Sequence, residues 1–256
     1  MFPFRNLLLI SFANVLPLMA VIAPAARTEI QEATALAEMG FPAVDRVWRG
    51  EDYAKAASMI STGKVVLPKF SDLQGLVILK RLLSVDNLAS YRQSEVPIGQ
   101  RFPPFFQMTQ ATSQIFGSYA QAADRGEKVG EEIAHLTGLL LRQSELGLNL
   151  TAELGKTLTD QEKIARKEGL RQFQNGTITM FTGAEQILGN TTLLSPQERS
   201  LLVAIMKDTL PTLSFVFPAD VRIEFRKKLE ARMSEFSNPK DQANLTAMIE
   251  LLKKAN

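Results

Sequence analysis

Apolar side chains at helical spacing recur along most of the chain, and this pattern constrains the fold more than any other feature. The clearest stripe lies near the C-terminus and comprises Leu245, Met248, Ile249 and Leu252. Strand patterns are scarce, because the best β-like stretch, residues 64–67, ends at once at Pro68. The sequence therefore predicts an all-α fold, an irregular helical bundle of about eight or nine helices.

Helix-start signals divide the chain into segments. Ser195 can cap a helix, Pro196 suits its first position, and Glu198 completes a capping box. Thr159-Asp160-Gln161-Glu162 opens another helix earlier in the chain. With the apolar stripes, such signals predict helices over residues 28–39, 51–61, 72–83, 104–123, 127–150, 159–188, 196–213 and 220–236, and from 239 onward.

Two of these helices have ambiguous features. A loop rich in proline and arginine, residues 91–103, precedes helix 104–123, so we expect that helix to begin after Pro103. One side of it should carry Phe106, Thr109, Ser113 and Phe116. In helix 159–188, Asn175-Gly176 is a candidate break.

The N-terminal segment has the pattern of a secretory signal peptide. Arg5 supplies a positive charge, and no charged side chain occurs from Asn6 to Ala26. Ala23 and Ala25 are small residues at the third-last and last positions before a cut that would precede Ala26. The sequence therefore predicts a cleaved signal peptide and an exported protein, periplasmic or extracellular.

Two alternatives to cleavage remain. At about 1.5 Å per residue the apolar run is long enough to span roughly 30 Å of hydrocarbon, so it could stay as a membrane anchor. Asn14 and Pro17 interrupt the run, which favours cleavage. The segment could instead be a buried helix of a cytosolic protein. Under the favoured interpretation residues 1–25 are removed and 26–256 form a single helical domain, with residues 124–128 as the best internal boundary.

Composition excludes several classes of function. The 29 Lys and Arg nearly balance the 27 Asp and Glu, so the chain lacks the basic excess typical of nucleic-acid binding. It contains no cysteine, which excludes disulfides, thiolate metal sites, iron–sulfur clusters and cysteine nucleophiles. An exported chain of this size without disulfides is more typical of a bacterium, and a periplasmic location fits best.

Motifs for metal or nucleophilic chemistry are incomplete. His135 is the single histidine, preceded on its helix by Glu131 and Glu132, but di-iron bundles need such a Glu-x-x-His motif twice. A serine triad would lack its G-x-S-x-G turn, and "STGKVV" lacks the first glycine of a phosphate-binding loop. We therefore expect no metal and no cofactor. Paired carboxylates at Glu51-Asp52 or Glu131-Glu132 keep open a hydrolase acting on cell-wall polymer or glycan.

Two aromatic and basic clusters are candidate binding residues. Trp48 lies between two arginines, and a second cluster comprises Arg101, Phe102, Phe105 and Phe106. These side chains could line a groove for a peptide, lipid or glycan. The favoured interpretation makes them core anchors of the adjoining helices. A further basic stretch, residues 222–232, is interrupted by acidic residues and is more typical of a solvated face than of a membrane-binding helix.

These observations favour a non-enzymatic helical protein of the cell envelope. Its expected partner is an envelope protein or cell-wall component, recognised through a helical surface, with no role for nucleic acid. Membrane contact is expected only through the N-terminal segment, if that segment is not cleaved. The two alternatives are the carboxylate-dependent hydrolase and a membrane-tethered protein.

Overall fold

The computed structural model describes Ala37 and residues 40–92 and 95–254, and these residues contain helices but no strand. The all-α prediction is therefore confirmed. The α-helices are α1 Gly50–Ser61, α2 Leu73–Leu82, α3 Asp86–Ala89, α4 Ile98–Asp124, α5 Gly130–Thr157, α6 Asp160–Leu188, α7 Pro196–Leu213, α8 Ala219–Arg232 and α9 Pro239–Lys254. Short 3₁₀ turns, Ser214–Val216 and Met233–Glu235, follow α7 and α8.

The predicted helix starts at α6 and α7 are confirmed by their hydrogen bonds. Thr159 Oγ1 accepts the amide of Glu162, whose carboxylate in turn accepts the amide of Thr159 at 2.8 Å. Ser195 and Glu198 form the same reciprocal pair at the start of α7. Each box satisfies backbone donors that the first turn of a helix leaves without an intrahelical partner.

Helix α4 begins earlier than the sequence predicts. It starts at Ile98, so the expected loop over residues 91–103 is wrong in its second half, and Pro103 and Pro104 lie inside the helix. Each proline removes a bond to the carbonyl four residues before it, on Gly99 and Gln100. Both of those residues are exposed, so water can satisfy their carbonyl groups.

The side of α4 that faces the core also differs from the prediction. Phe105 and Met108 are buried, whereas Phe106 is 44% exposed. Thr109 and Phe116 are buried as expected. At the N-terminal end of α4 the buried side is therefore rotated relative to the prediction, and Phe105 enters the core in place of Phe106.

Helix α6 has no break at Asn175-Gly176. It is continuous, and Gly176 and Thr177 are buried while Asn175 is exposed. A glycine inside a helix costs about 1 kcal/mol relative to alanine. Burial of this part of α6 against the bundle offsets that cost, which local sequence does not reveal.

The core centres on α5, which packs against α4 on one side and α7 on the other. Helix α1 packs on α4, while α9 packs on α7 and α8. Buried apolar side chains from these helices form one cluster, and the predicted C-terminal stripe of Leu245, Met248, Ile249 and Leu252 belongs to it. Residues 124–128 form a turn between α4 and α5, with Gly126 at φ 83°.

Buried charges join α6 and α7 to the turn after α8. Glu185 is buried and accepts a bond from Arg232 Nε, and Arg232 also pairs with Glu235 at 3.2 Å. Arg199, which is buried, pairs with Glu235 and lies 4.4 Å over the Phe236 ring. Two carboxylates thus match two guanidinium groups, which buried charges require.

The predicted signal peptide, Ala23 and Ala25 lie outside the described residues, as does nearly all of the predicted helix 28–39. Among the helices that the structure describes, none is both long and apolar enough to cross a membrane.

Candidate functional site

The first half of α6 is exposed over its whole circumference. Every residue from 160 to 172, here called the α6 arm, is exposed, whereas residues from Gly176 onward are largely buried. An amphipathic helix of a globular bundle normally buries one side. None of the arm's residues is therefore buried in the core, and the arm is joined to the bundle through the rest of α6 and, by residues 158–159, through α5.

The base of the arm lies where three helices meet. Gly147 of α5 packs against two aromatic rings, since a Cβ atom there would lie 2.9 Å from Phe173 Cζ and 3.3 Å from Phe105 Cε1. Arg101 of α4 pairs with Glu153 near the end of α5. The arm thus leaves the bundle beside the first turns of α4, which carry four of the five predicted binding residues.

Apolar and basic groups share one side of the arm. Ile164 is 74% exposed, and a shallow depression lined also by Lys167, Leu170 and Arg171 runs along the helix there. Arg171 pairs with Glu168 at 2.9 Å, while Lys167 has no carboxylate partner within the described ranges. This combination of an exposed β-branched side chain and an unpaired cation suits contact with an acidic or amphipathic partner.

The helical state of the arm has modest local support. Isolated helices shorter than about 12–15 residues are marginal in water. The capping box at Thr159 and the exposed ion pairs Lys163–Asp160 and Arg171–Glu168 support the helix locally, and solvent screens both ion pairs. A partner that covers Ile164 would add the burial that the chain itself does not supply.

Trp48, the first predicted binding residue, is fully buried. Its Nε1 donates to the carbonyl of Ala43 at 2.8 Å, and its backbone N–H donates to Asn87 Oδ1 at 2.9 Å. The ring packs edge-on against Tyr53 with centroids 5.8 Å apart and stacks near Phe41. These contacts make Trp48 an anchor of the segment that leads into α1.

Arg101 is also buried and joins three parts of the chain. Its Nε donates to Val96 O at 2.6 Å and its Nη1 to Tyr91 O at 3.0 Å, while Nη2 contacts Glu153. The guanidinium therefore fixes the loop before α4 against α5. These three bonds are all internal to the chain, so the Arg101 side chain has a structural role.

The three phenylalanines differ in accessibility. Phe105 is buried and packs edge-on against Tyr91 at 5.5 Å, Phe102 is half-buried against the core, and Phe106 is exposed. The structure thus brings Arg101, Phe102, Phe105 and Phe106 together on the first turns of α4, with Trp48 on a separate element. Of the predicted binding residues, Phe106 and Phe102 are the ones a ligand could touch, and their binding role stays a prediction.

One carboxylate of each predicted pair has a structural partner, and the other members, Glu51 and Glu131, are exposed. Asp52 is buried and pairs with Arg46 at 2.6 Å, and buried Glu132 accepts the amide of Phe70 at 2.7 Å. Glu131 is exposed, and partial burial together with the nearby charges of Glu132 and Glu198 raises its pKa. Because Glu132 and Asp52 already hold backbone or arginine donors, the carboxylate hydrolase stays a prediction without support from this geometry.

A second polar cluster was not predicted from the sequence. Arg142 of α5 is buried, and burial lowers its pKa against the opposing effect of Asp208 and Glu145. Half-buried Glu145 lies 3.5 Å from Thr212 Oγ1, and burial raises its pKa. The residues come from α5 and α7, so only the packing of the two helices reveals the cluster.

His135 is half-buried, with its ring 4.9 Å from that of Phe70. Burial lowers the pKa of His135, so the unfolded chain binds the proton more readily than the folded protein.

The contribution of His135 to stability is thus complete above the unfolded pKa, about 6.5, and is lost as pH falls below it. Urea unfolding at a series of pH values should show this loss, and His135→Gln should remove it while leaving the acid-induced loss from other groups. An unchanged slope in the variant would contradict the assignment.

The exposure of the α6 arm was not predicted from the sequence, because the arm contains few apolar residues. One signal was present in the sequence: residues 160–172 are polar on nearly all sides, a composition typical of a helix that does not belong to a core.

No group of three or more His, Asp or Glu side chains in the described ranges is arranged to hold a metal ion. Comparison of the chain with protein-family profiles, curated proteins and solved structures finds no match.

Proposed function

We propose that this chain is an exported, non-catalytic helical protein of the cell envelope that binds a partner protein or envelope component through the α6 arm. The observation that carries the proposal is the exposure of all residues from 160 to 172. Helix-in-groove recognition uses an accessible helix with apolar anchors, and Ile164, which is 74% exposed, supplies one.

The neighbouring first turns of α4 extend this surface. Phe106 is exposed and Phe102 half-buried, close to the ion pair that joins α4 to the end of α5. Aromatic residues are enriched at the centres of protein interfaces. A partner that binds the α6 arm would therefore also contact aromatic side chains at the base of the arm.

Location is proposed from the N-terminal sequence. The uncharged run from Asn6 to Ala26 and the small residues Ala23 and Ala25 fit export with cleavage before Ala26. A periplasmic or extracellular protein would meet envelope components there.

Affinity capture from envelope extract with the tagged full-length protein tests the proposal. Substituting Ile164→Glu and Lys167→Glu should lower the recovered partner about ten-fold or more, because an apolar anchor and a cation are both lost. The intact mass of the protein recovered from the envelope is the second readout, and a start at Ala26 is expected.

The matched control carries Lys64→Glu and Val66→Glu, the same types of change at two exposed residues between α1 and α2. Equal partner recovery from both double variants would contradict a role for the arm. An intact N-terminus on the envelope-bound protein would instead favour the tether.

A further inference from the structure

The side chain of Arg142, in the middle of α5, is buried without an internal partner. Arg142 is 8% exposed, yet it forms no hydrogen bond or ion pair with any residue in the described ranges. Its nitrogens are not among the fully enclosed polar atoms that lack a bond, so the guanidinium faces a crevice that solvent reaches. A buried guanidinium normally has matched N–H groups, as those of Arg101 and Arg199 are by backbone and carboxylate oxygens.

Helices α5 and α7 form the two walls of this crevice and run in the same direction. A Cβ atom at Gly138 would lie 2.4 Å from Ile205 Cδ1. Seven residues later in each helix, Glu145 lies 3.5 Å from Thr212 Oγ1. Because the two helices advance together at 1.5 Å per residue, Arg142 also lies beside α7.

Both signs of charge surround the crevice. The charges of Asp208 and Glu145 act on Arg142, and the charge of exposed Arg92, in the segment after α3, acts on both Arg142 and Glu145. Asp208 already pairs with Lys207 at 3.0 Å, whereas half-buried Glu145 forms no ion pair within the described part of the chain. Arg142 and Glu145 are thus opposite charges on one side of α5 that do not pair with each other.

We propose that Arg142 and Glu145 bind a small α-amino acid in this crevice between α5 and α7. The carboxylate of the ligand accepts hydrogen bonds from Arg142, whose planar guanidinium suits a carboxylate, and the ammonium group of the ligand donates to Glu145. An anion alone would face the like charges of Glu145 and Asp208, and a cation alone would face those of Arg142 and Arg92. A ligand that carries both charges close together matches both groups.

This site is separate from the α6 arm, because Arg142 and Glu145 lie in α5 and none of the groups around the crevice belongs to residues 160–172. The proposal therefore goes beyond partner binding. Loss of amino-acid binding and loss of partner capture are distinct results.

Nuclear magnetic resonance titration of the full-length ¹⁵N-labelled protein tests the proposal with glycine, acetate and methylamine. The last two probes are the charged halves of the first. The readout is the Nε–H signal of Arg142, identified by its absence from the spectrum of Arg142→Met. Glycine should bind about ten-fold more tightly than acetate or methylamine, because each half leaves one of the two protein charges unmatched.

Two variants separate the roles of the two charges. Glu145→Gln should make glycine and acetate bind about equally, since the partner of the ammonium group is lost. Arg142→Met should abolish glycine binding and raise the melting temperature by about 2 °C, because an apolar side chain of similar length replaces an unmatched buried charge. Arg101→Met should instead lower the melting temperature, since Arg101 holds internal bonds.

Arg125→Met is the control for binding, because Arg125 lies in the turn before α5 and should leave glycine binding unchanged. No shift of the Arg142 signal with glycine, equal binding of glycine and acetate by the unsubstituted protein, or unchanged glycine binding by Arg142→Met would overturn the proposal. A melting temperature of Arg142→Met lowered as far as that of Arg101→Met would also overturn it, because Arg142 would then have an internal structural role.

Discussion

Replacing Trp48 with alanine is expected to lower the free energy of unfolding by about 4 kcal/mol, because a fully buried indole leaves a large cavity. The substitution also leaves the carbonyl of Ala43 without its 2.8 Å bond from Nε1. Tyr53 and Phe41 lose the ring between them. Urea denaturation followed by far-ultraviolet circular dichroism measures the change.

Phe106→Ala is the informative comparison, since both residues are aromatic and both were candidate binding residues for which core packing was favoured. Phe106 is exposed, so its removal should change the unfolding free energy by no more than about 1 kcal/mol. If Trp48→Ala lowered the unfolding free energy as little as Phe106→Ala does, the segment that leads into α1 would not be anchored in the core through Trp48.

Gly130→Ala should destabilise the protein by about 3 kcal/mol, because the first turn of α5 has no room for a side chain. An added Cβ atom would lie 2.1 Å from Leu193 O and 3.2 Å from Glu198 Oε2. The contacted carbonyl belongs to a turn held by two hydrogen bonds from the Leu193 amide to Asn190. Either the turn or the start of α5 must therefore move.

The same substitution in the same helix should have the opposite sign at Gly155. No atom lies within 4 Å of a Cβ atom placed there. Gly155→Ala should stabilise the protein by about 0.5 kcal/mol, since alanine loses less backbone entropy in a helix. Thermal unfolding of both variants provides the test, and equal shifts in melting temperature would refute the close packing of α5 against the turn before α7.

Local signals account for much of this fold. The capping boxes at Thr159 and Ser195 identify the starts of α6 and α7, and Gly63, which follows α1, adopts φ 69°. Each of these signals works within one turn of backbone, so the surrounding structure changes it little.

Tertiary packing determines what local signals miss. A pair of prolines reads as a loop, yet buried Arg101 fixes the first turns of α4 around its internal bonds. Gly176 reads as a break, yet its burial keeps α6 continuous. In both cases long-range contacts exceed a local preference, of about 3 kcal/mol for a proline and about 1 kcal/mol for a glycine inside a helix.

The candidate surfaces were the least predictable part. Phe105 and Phe106 are adjacent in sequence but only Phe106 is exposed, and the same contrast separates Phe217 from Phe215. Which residue of each aromatic pair is exposed depends on where the neighbouring helices lie. The helical period alone gives spacing along the helix and leaves that rotation open.

Site-specific photo-crosslinking in cells of the source organism tests the central claim most directly. If the α6 arm binds a partner as we propose, a photoreactive residue at the position of Ile164 should form a discrete adduct with it. The same residue at the position of Val66, which is also highly exposed, should form none of that mass. Absence of an adduct from the arm, or the same adducts from both positions, would contradict the proposal that residues 160–172 form the binding surface.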